Sequence, residues 1–172
     1  LDHARRIIRA HQEALAAFDA QAVQGHVRVG SPDDYASTFL PGILARAEAA
    51  GVGVMLSISS RVRKFPNLLR IAEAHDNVFC TVGTHPHNAH EELDVPVAEI
   101  IRRTAHPKVV GIGEAGLDYH YDLSPRDAQM QGFRNHISAA RETGLPLVIH
   151  TREAEDDTAR VLEEEMARGP FM

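Results

Sequence analysis

Three short stretches of this sequence set imidazoles, carboxylates and a guanidinium close together. They are His85-Pro86-His87, Glu114 with Asp118 in Gly111-Ile112-Gly113-Glu114-Ala115-Gly116-Leu117-Asp118-Tyr119, and His150-Thr151-Arg152. Histidine is abundant throughout, at 11 of 172 residues. Imidazole nitrogens and carboxylate oxygens are the donors that hold Zn, Mn or Mg, with the choice following the ratio of nitrogen to oxygen. A divalent cation so held lowers the pKa of a water toward neutrality and polarises a phosphoryl or carbonyl oxygen. Arg152 beside such a site suits an anionic substrate, gripped bidentately if that is a phosphate. Each stretch alone also has a plainer reading. Glu114 can hydrogen-bond its own loop, and His85 and His87 can be a loop pair stiffened by Pro86. Isolated histidines such as His75, His106 and His136 read as surface or cap residues.

What favours the metal reading is where the elements put the three stretches. Apolar, β-branched runs predict strands over 27–30, 54–59, 78–82 and 147–149. Another begins at Val109 and breaks at the glycines around Glu114. Three- and four-residue apolar spacing predicts helices over 1–21, 39–50, 66–75, 96–104, 124–144 and 153–168. Ser124-Pro125-Arg126-Asp127 predicts a helix start with serine as the cap. Met130, Phe133, Ile137 and Ala140 form the inward face of that helix. Strands alternating with helices mean βαβ units and a parallel sheet, as either a (β/α) barrel or an open doubly wound sheet. In such a sheet the chemistry sits at the carboxyl ends of the strands, where all three stretches lie. Gly111-Ile112-Gly113 does not continue into the Gly-x-Gly-x-x-Gly fingerprint, which argues against a dinucleotide site. About five strands are visible where a closed barrel needs eight.

The totals fit a soluble globular chain, with 44% hydrophobic and 24% charged residues. At this length about 70% of the unfolded surface can be buried, enough for a real core. A net charge of -6 argues against a nucleic-acid binder that works through a broad basic surface. It leaves room for a nuclease, because a metal supplies local positive charge. The single cysteine, Cys80, excludes an internal disulfide and lies in an apolar run as a small core residue, consistent with the cytoplasm. No run reaches membrane-spanning length.

At these residues the chain resembles the TatD-type metal-dependent deoxyribonucleases, over about residues 46–171. The matching pieces are Thr81 to His87, His106 to Tyr119 and Gly144 to Ala154, with the helix from Ser124 to Gly144 between the last two. The resemblance implies an α/β fold, an incomplete TIM-like (β/α) barrel of about five parallel strands preceded here by a long N-terminal helix. It implies that Glu114 is a carboxylate shared between two metals and that His150 ligates one of them. His85 or His87 would lie beside the substrate phosphate, with Arg152 near it. The implied cofactor is a divalent metal (Mg, Mn or Zn), and the implied reaction is phosphodiester hydrolysis by metal-activated water at a DNA end. The family's opening Asp-x-His-x-His is not found, since the corresponding region reads Val27-Arg28-Val29-Gly30-Ser31-Pro32-Asp33-Asp34. Its later His-Cys-Phe and Thr-Asp-Ser-Pro strand ends are not reached by Met172, which leaves Glu114 and His150 of the family's metal ligands.

Residues 1–45 resemble a different family, the LysR-type transcriptional regulators. The match rests on Asp2 to His11, Gly25 to Ala36 and Phe39-Leu40-Pro41-Gly42. Taken together, the two resemblances imply a composite chain joined near residues 43–46, a chimera or a fused gene. Three readings follow: a TatD-like hydrolase with an incomplete and weak or inactive site, a non-catalytic chimeric or truncated α/β protein, and an effector-binding module. Open sheet edges and an uncovered apolar face imply self-association.

Overall fold

A computed structural model of the chain describes residues 42–172. The long helix over 1–21, the strand over 27–30 and the start of the helix over 39–50 lie outside the described residues. The chain divides into two compact units, Leu1–Gly53 and Val54–Met172. In the first, helix α1 spans 42–49 and stops before Gly51, whose φ of +84° is the left-handed conformation of a helix end.

The second unit alternates strands and helices as expected. β1 (Met55–Ser57) leads through a 3-10 turn (Val62–Lys64) into α2 (Phe65–Glu73). β2 (Val78–Val82) leads through a second 3-10 turn (Pro86–Glu91) to α3 (Val97–Thr104). β3 (Val109–Asp118), α4 (Arg126–Thr143), β4 (Leu147–Arg152) and α5 (Glu155–Met166) complete it. Among the described residues the strands form one curled sheet in the order β1-β2-β3-β4, parallel at every pairing. This is the α/β half-barrel expected, with four strands described.

Side-chain alternation along β3 divides labour between its two faces. Ala115 and Leu117 face the helix layer and pack with Phe133 and Ile137 of α4 and Val161 of α5. Glu114 and Asp118 fall on the other alternation. Fully burying side chains such as Phe133 and Ile137 contributes about 1.5–3 kcal/mol each. Cys80 is a buried core residue, its thiol pushed up to about 11 by burial.

Two local expectations are corrected. β3 does not break at the glycines around Glu114 but runs on to Asp118, putting both carboxylates on one strand. Ser124 does not cap α4. The N-cap is Pro125, and the buried Ser124 hydroxyl instead meets the backbone N–H of His90 at 2.8 Å and its Nδ1 at 2.6 Å. Among the described residues no helix is long and apolar enough to cross a membrane.

Candidate metal centre

Parallel register carries the three polar stretches to one edge of the sheet. Gly116 pairs with His150 and Asp118 with Arg152. Between the pairs Ile112–Leu147 and Ala115–Ile149, β3 carries one residue more than β4. A bulge of this kind leaves a residue unpaired and re-aims its side chain. Here Glu114 is released, and its N–H donates to the Ser59 carbonyl at 3.0 Å. Two glycines permit the approach of β4. A Cβ on Gly113 (φ +118°) would lie 2.4 Å from the Val148 carbonyl oxygen, and one on Gly116 (φ +148°) 1.9 Å from that of His150.

His85 follows β2 as the N-cap of the second 3-10 turn. Its N–H donates to the Ser60 carbonyl at 3.0 Å, and its Nδ1 accepts the His87 N–H at 3.2 Å. Its Nε2 lies 3.2 Å from His150 Nδ1. His150 Nδ1 is also 3.0 Å from Glu114 Oε1, and its Nε2 is 2.9 Å from Asp118 Oδ2. The same Asp118 oxygen lies 2.9 Å from His87 Nε2. Asp118 is fully buried, and its Oδ1 accepts the Tyr121 N–H at 2.9 Å.

These contacts shift the titration of the clustered groups. His150 is held above the ordinary imidazole range, mainly by its hydrogen bond to Glu114, with burial opposing and Asp118 adding to the effect. Burial and then the charge on His150 drive His85 down to about 4. Glu114 lies below the usual carboxylate range, chiefly through His150. Burial pushes Asp118 up, but the Tyr121 N–H and the rings of His87 and His150 outweigh it and bring the carboxyl down to about 2.

His85, Glu114 and His150 fit a divalent cation. Each offers one ligand atom, and the three atoms lie within 4.8 Å of one another. Bonds of about 2.0–2.1 Å in a tetrahedral site set ligand atoms about 3.3 Å apart. The contacts of 3.2 Å between His85 and His150 and 3.0 Å between His150 and Glu114 are close to that spacing. Two nitrogens and a carboxylate oxygen suit Zn or Mn. Asp118 stands behind His150 as an orienting carboxylate.

The expected site residues thus separate. Glu114 and His150 are together, and His85 joins them. His87 turns to Asp118, and Arg152 is exposed, its guanidinium 4.5 Å from the centre of the Tyr121 ring. His136, read as a surface or cap residue, is buried in α4. Its Nε2 accepts the Thr84 N–H at 3.0 Å, and its Nδ1 donates to the Gly132 carbonyl at 2.7 Å. The Thr84 hydroxyl donates to Glu92, whose carboxylate also accepts the N–H groups of Val62 at 2.8 Å and Arg63 at 3.0 Å. This network clasps the loops after β1 and β2 beside His85. Sequence spacing gave no signal for it, because Thr84 and His136 are 52 positions apart.

A family described as TatD related DNase matches residues 23–172. The uncharacterized metal-dependent hydrolase YabD of Bacillus subtilis is 38% identical over 130 residues, covering 76% of this chain and 51% of that protein. The 3'-5' ssDNA/RNA exonuclease TatD of Pantoea ananatis is 38% identical, covering 74% of this chain and 50% of its own length. The uncharacterized metal-dependent hydrolase TatD of Mycobacterium tuberculosis is 35% identical over 91% of this chain and 55% of its own length. The crystal structure of YjjV, a TatD homologue of Escherichia coli K12, superposes with a TM-score of 0.67 at 27% identity, covering 75% of this chain and 51% of that one. The chain spans about half the length of the curated relatives it matches. The family match begins at residue 23, inside the segment that resembled LysR-type regulators, and the comparisons give no support to a LysR-like segment or a chimera. The chain belongs to the TatD-related DNase family.

Proposed function

We propose that His85, Glu114 and His150 hold a divalent cation (Mg, Mn or Zn) and that the site hydrolyses phosphodiesters at the end of a DNA strand. The observation that carries this reading is the convergence of one donor atom each from His85 after β2, Glu114 at the β3 bulge and His150 on β4. When bound, the cation supplies Lewis acidity, activating a water at neutral pH and polarising a phosphoryl oxygen. His87, held by buried Asp118, presents its ring beside the cluster, 4.3 Å from that of His85 between centroids. There it can hydrogen-bond a phosphate oxygen or pass a proton to the leaving group. Arg152 sits at the rim, where its guanidinium suits the phosphate charge. Family membership, and the exonuclease named among the relatives, support a nucleic-acid substrate. The lone, buried cysteine supports a cytoplasmic setting.

Release of nucleotides from a single-stranded oligonucleotide with Mn2+ tests this. The expected result is turnover that stops with a chelator and falls at least 100-fold in His150→Ala, on the order of the loss of one essential site contact. Turnover unaffected by the chelator would overturn it. A second reading is a non-catalytic α/β protein, in which the ion pairs of His150 with Glu114 and Asp118 are structural. It predicts metal binding at most, with no turnover under any metal.

A further inference from the structure

The loop after β3 carries an aromatic ring whose placement the metal cluster does not explain. Tyr121 is 52% exposed, yet it is held in place. Its backbone N–H donates to Asp118, the same carboxylate that meets His87 and His150. The Arg152 guanidinium lies over the ring at 4.5 Å. The His87 ring stands perpendicular to it, with centroids 5.5 Å apart. An exposed aromatic alone needs no explanation. One fixed beside a phosphate-binding type of site, with an arginine on its face, has the composition of a single-strand binding surface. Bases stack on aromatic rings and guanidinium planes with little regard to sequence. Charge points the same way: at a net charge of -6 the chain has little broad electrostatic attraction for a polyanion. Local contacts at the strand end, stacking among them, must then supply much of the affinity.

The geometry points to Tyr121 and Arg152 as a stacking platform for the terminal nucleobase of a single strand whose phosphate lies at the His85, Glu114 and His150 cluster. This rests on the strand-end reading above and adds how the strand is held. Recognition is by the π-face of the base and does not discriminate among bases. Removing the base, and not changing it, is what weakens binding.

The test is fluorescence anisotropy with Mn2+ and a 5′-labelled oligothymidylate protected by 3′-terminal phosphorothioate linkages. A second probe is the same strand with abasic residues at its last three positions. Tyr121→Ala is expected to weaken binding of the base-bearing strand roughly tenfold, to the level of the abasic one, while Tyr121→Phe retains it. Tyr121→Ala weakening both strands alike, or neither, would overturn the platform. If wild-type protein binds both strands equally tightly, the platform falls and the strand-end reading stands. If it binds neither, both fall.

Discussion

Asp118 touches two histidines at once. Its Oδ2 lies 2.9 Å from His87 and 2.9 Å from His150, in a fully buried position whose hydrogen bonds keep it ionised. An ionised carboxylate there fixes the ring of His150 and turns Nδ1 toward Glu114 and His85. Outer partners of this kind are worth about 10–100-fold in metal affinity. Asp118→Asn should therefore weaken Mn2+ binding by about that factor while leaving the cation-binding residues themselves intact. A binding isotherm indistinguishable from wild type would remove Asp118 from the account. The sequence exposes Asp118 only as a neighbour of Glu114. Its role depends on β3 continuing through the glycines, which spacing alone does not reveal.

The strands place these residues by close backbone approach, and α4 braces them from behind. Gly116 leaves no room for a side chain: its φ is +148°, and a Cβ there would lie 1.9 Å from the His150 carbonyl oxygen. Gly116→Ala should cost about 2–4 kcal/mol, combining strain with a forced shift of β4. Chemical denaturation checks it, and an unchanged midpoint would contradict the tight β3–β4 packing. His136 makes the second prediction at this scale. Burial holds its pKa below the ordinary value, outweighing its hydrogen bond to Gly132 and the charge on Glu92, and the neutral ring is what accepts the Thr84 N–H. A depressed folded-state pKa gives stability that is complete above the unfolded value of about 6.5 and is lost as pH falls through the folded one. Denaturation of wild type and His136→Gln should show the wild type losing more stability between neutral and acid pH. Equal pH slopes would contradict it. Much of this scale was legible in the sequence. The β-branched runs before His85, Glu114 and His150 marked three neighbouring strands, and parallel topology then brought those residues to one edge. What stayed hidden were contacts between distant positions. The bulge at Glu114 shows only in the pairing with β4, Ser124 meets His90 instead of capping α4, and the buried His136 accepts the N–H of distant Thr84.

At the scale of the whole molecule, several apolar side chains of the described residues are exposed along the curled sheet. Leu56 is 49% exposed on β1, Ile58 38% just beyond it, and Ile149 40% on β4. Exposed large apolar side chains on a sheet favour association. The chain should pair with a second copy, visible by light scattering as a mass above that of one chain and rising with concentration. A monomer at all concentrations would contradict this. Calorimetric titration with Mn2+ or Zn2+ tests whether His85, Glu114 and His150 hold one cation. Wild-type protein should give saturable binding heat near one cation per chain, largely lost in Glu114→Ala with the fold retained. No heat with the wild type, or the same heat with the variant, would contradict the site.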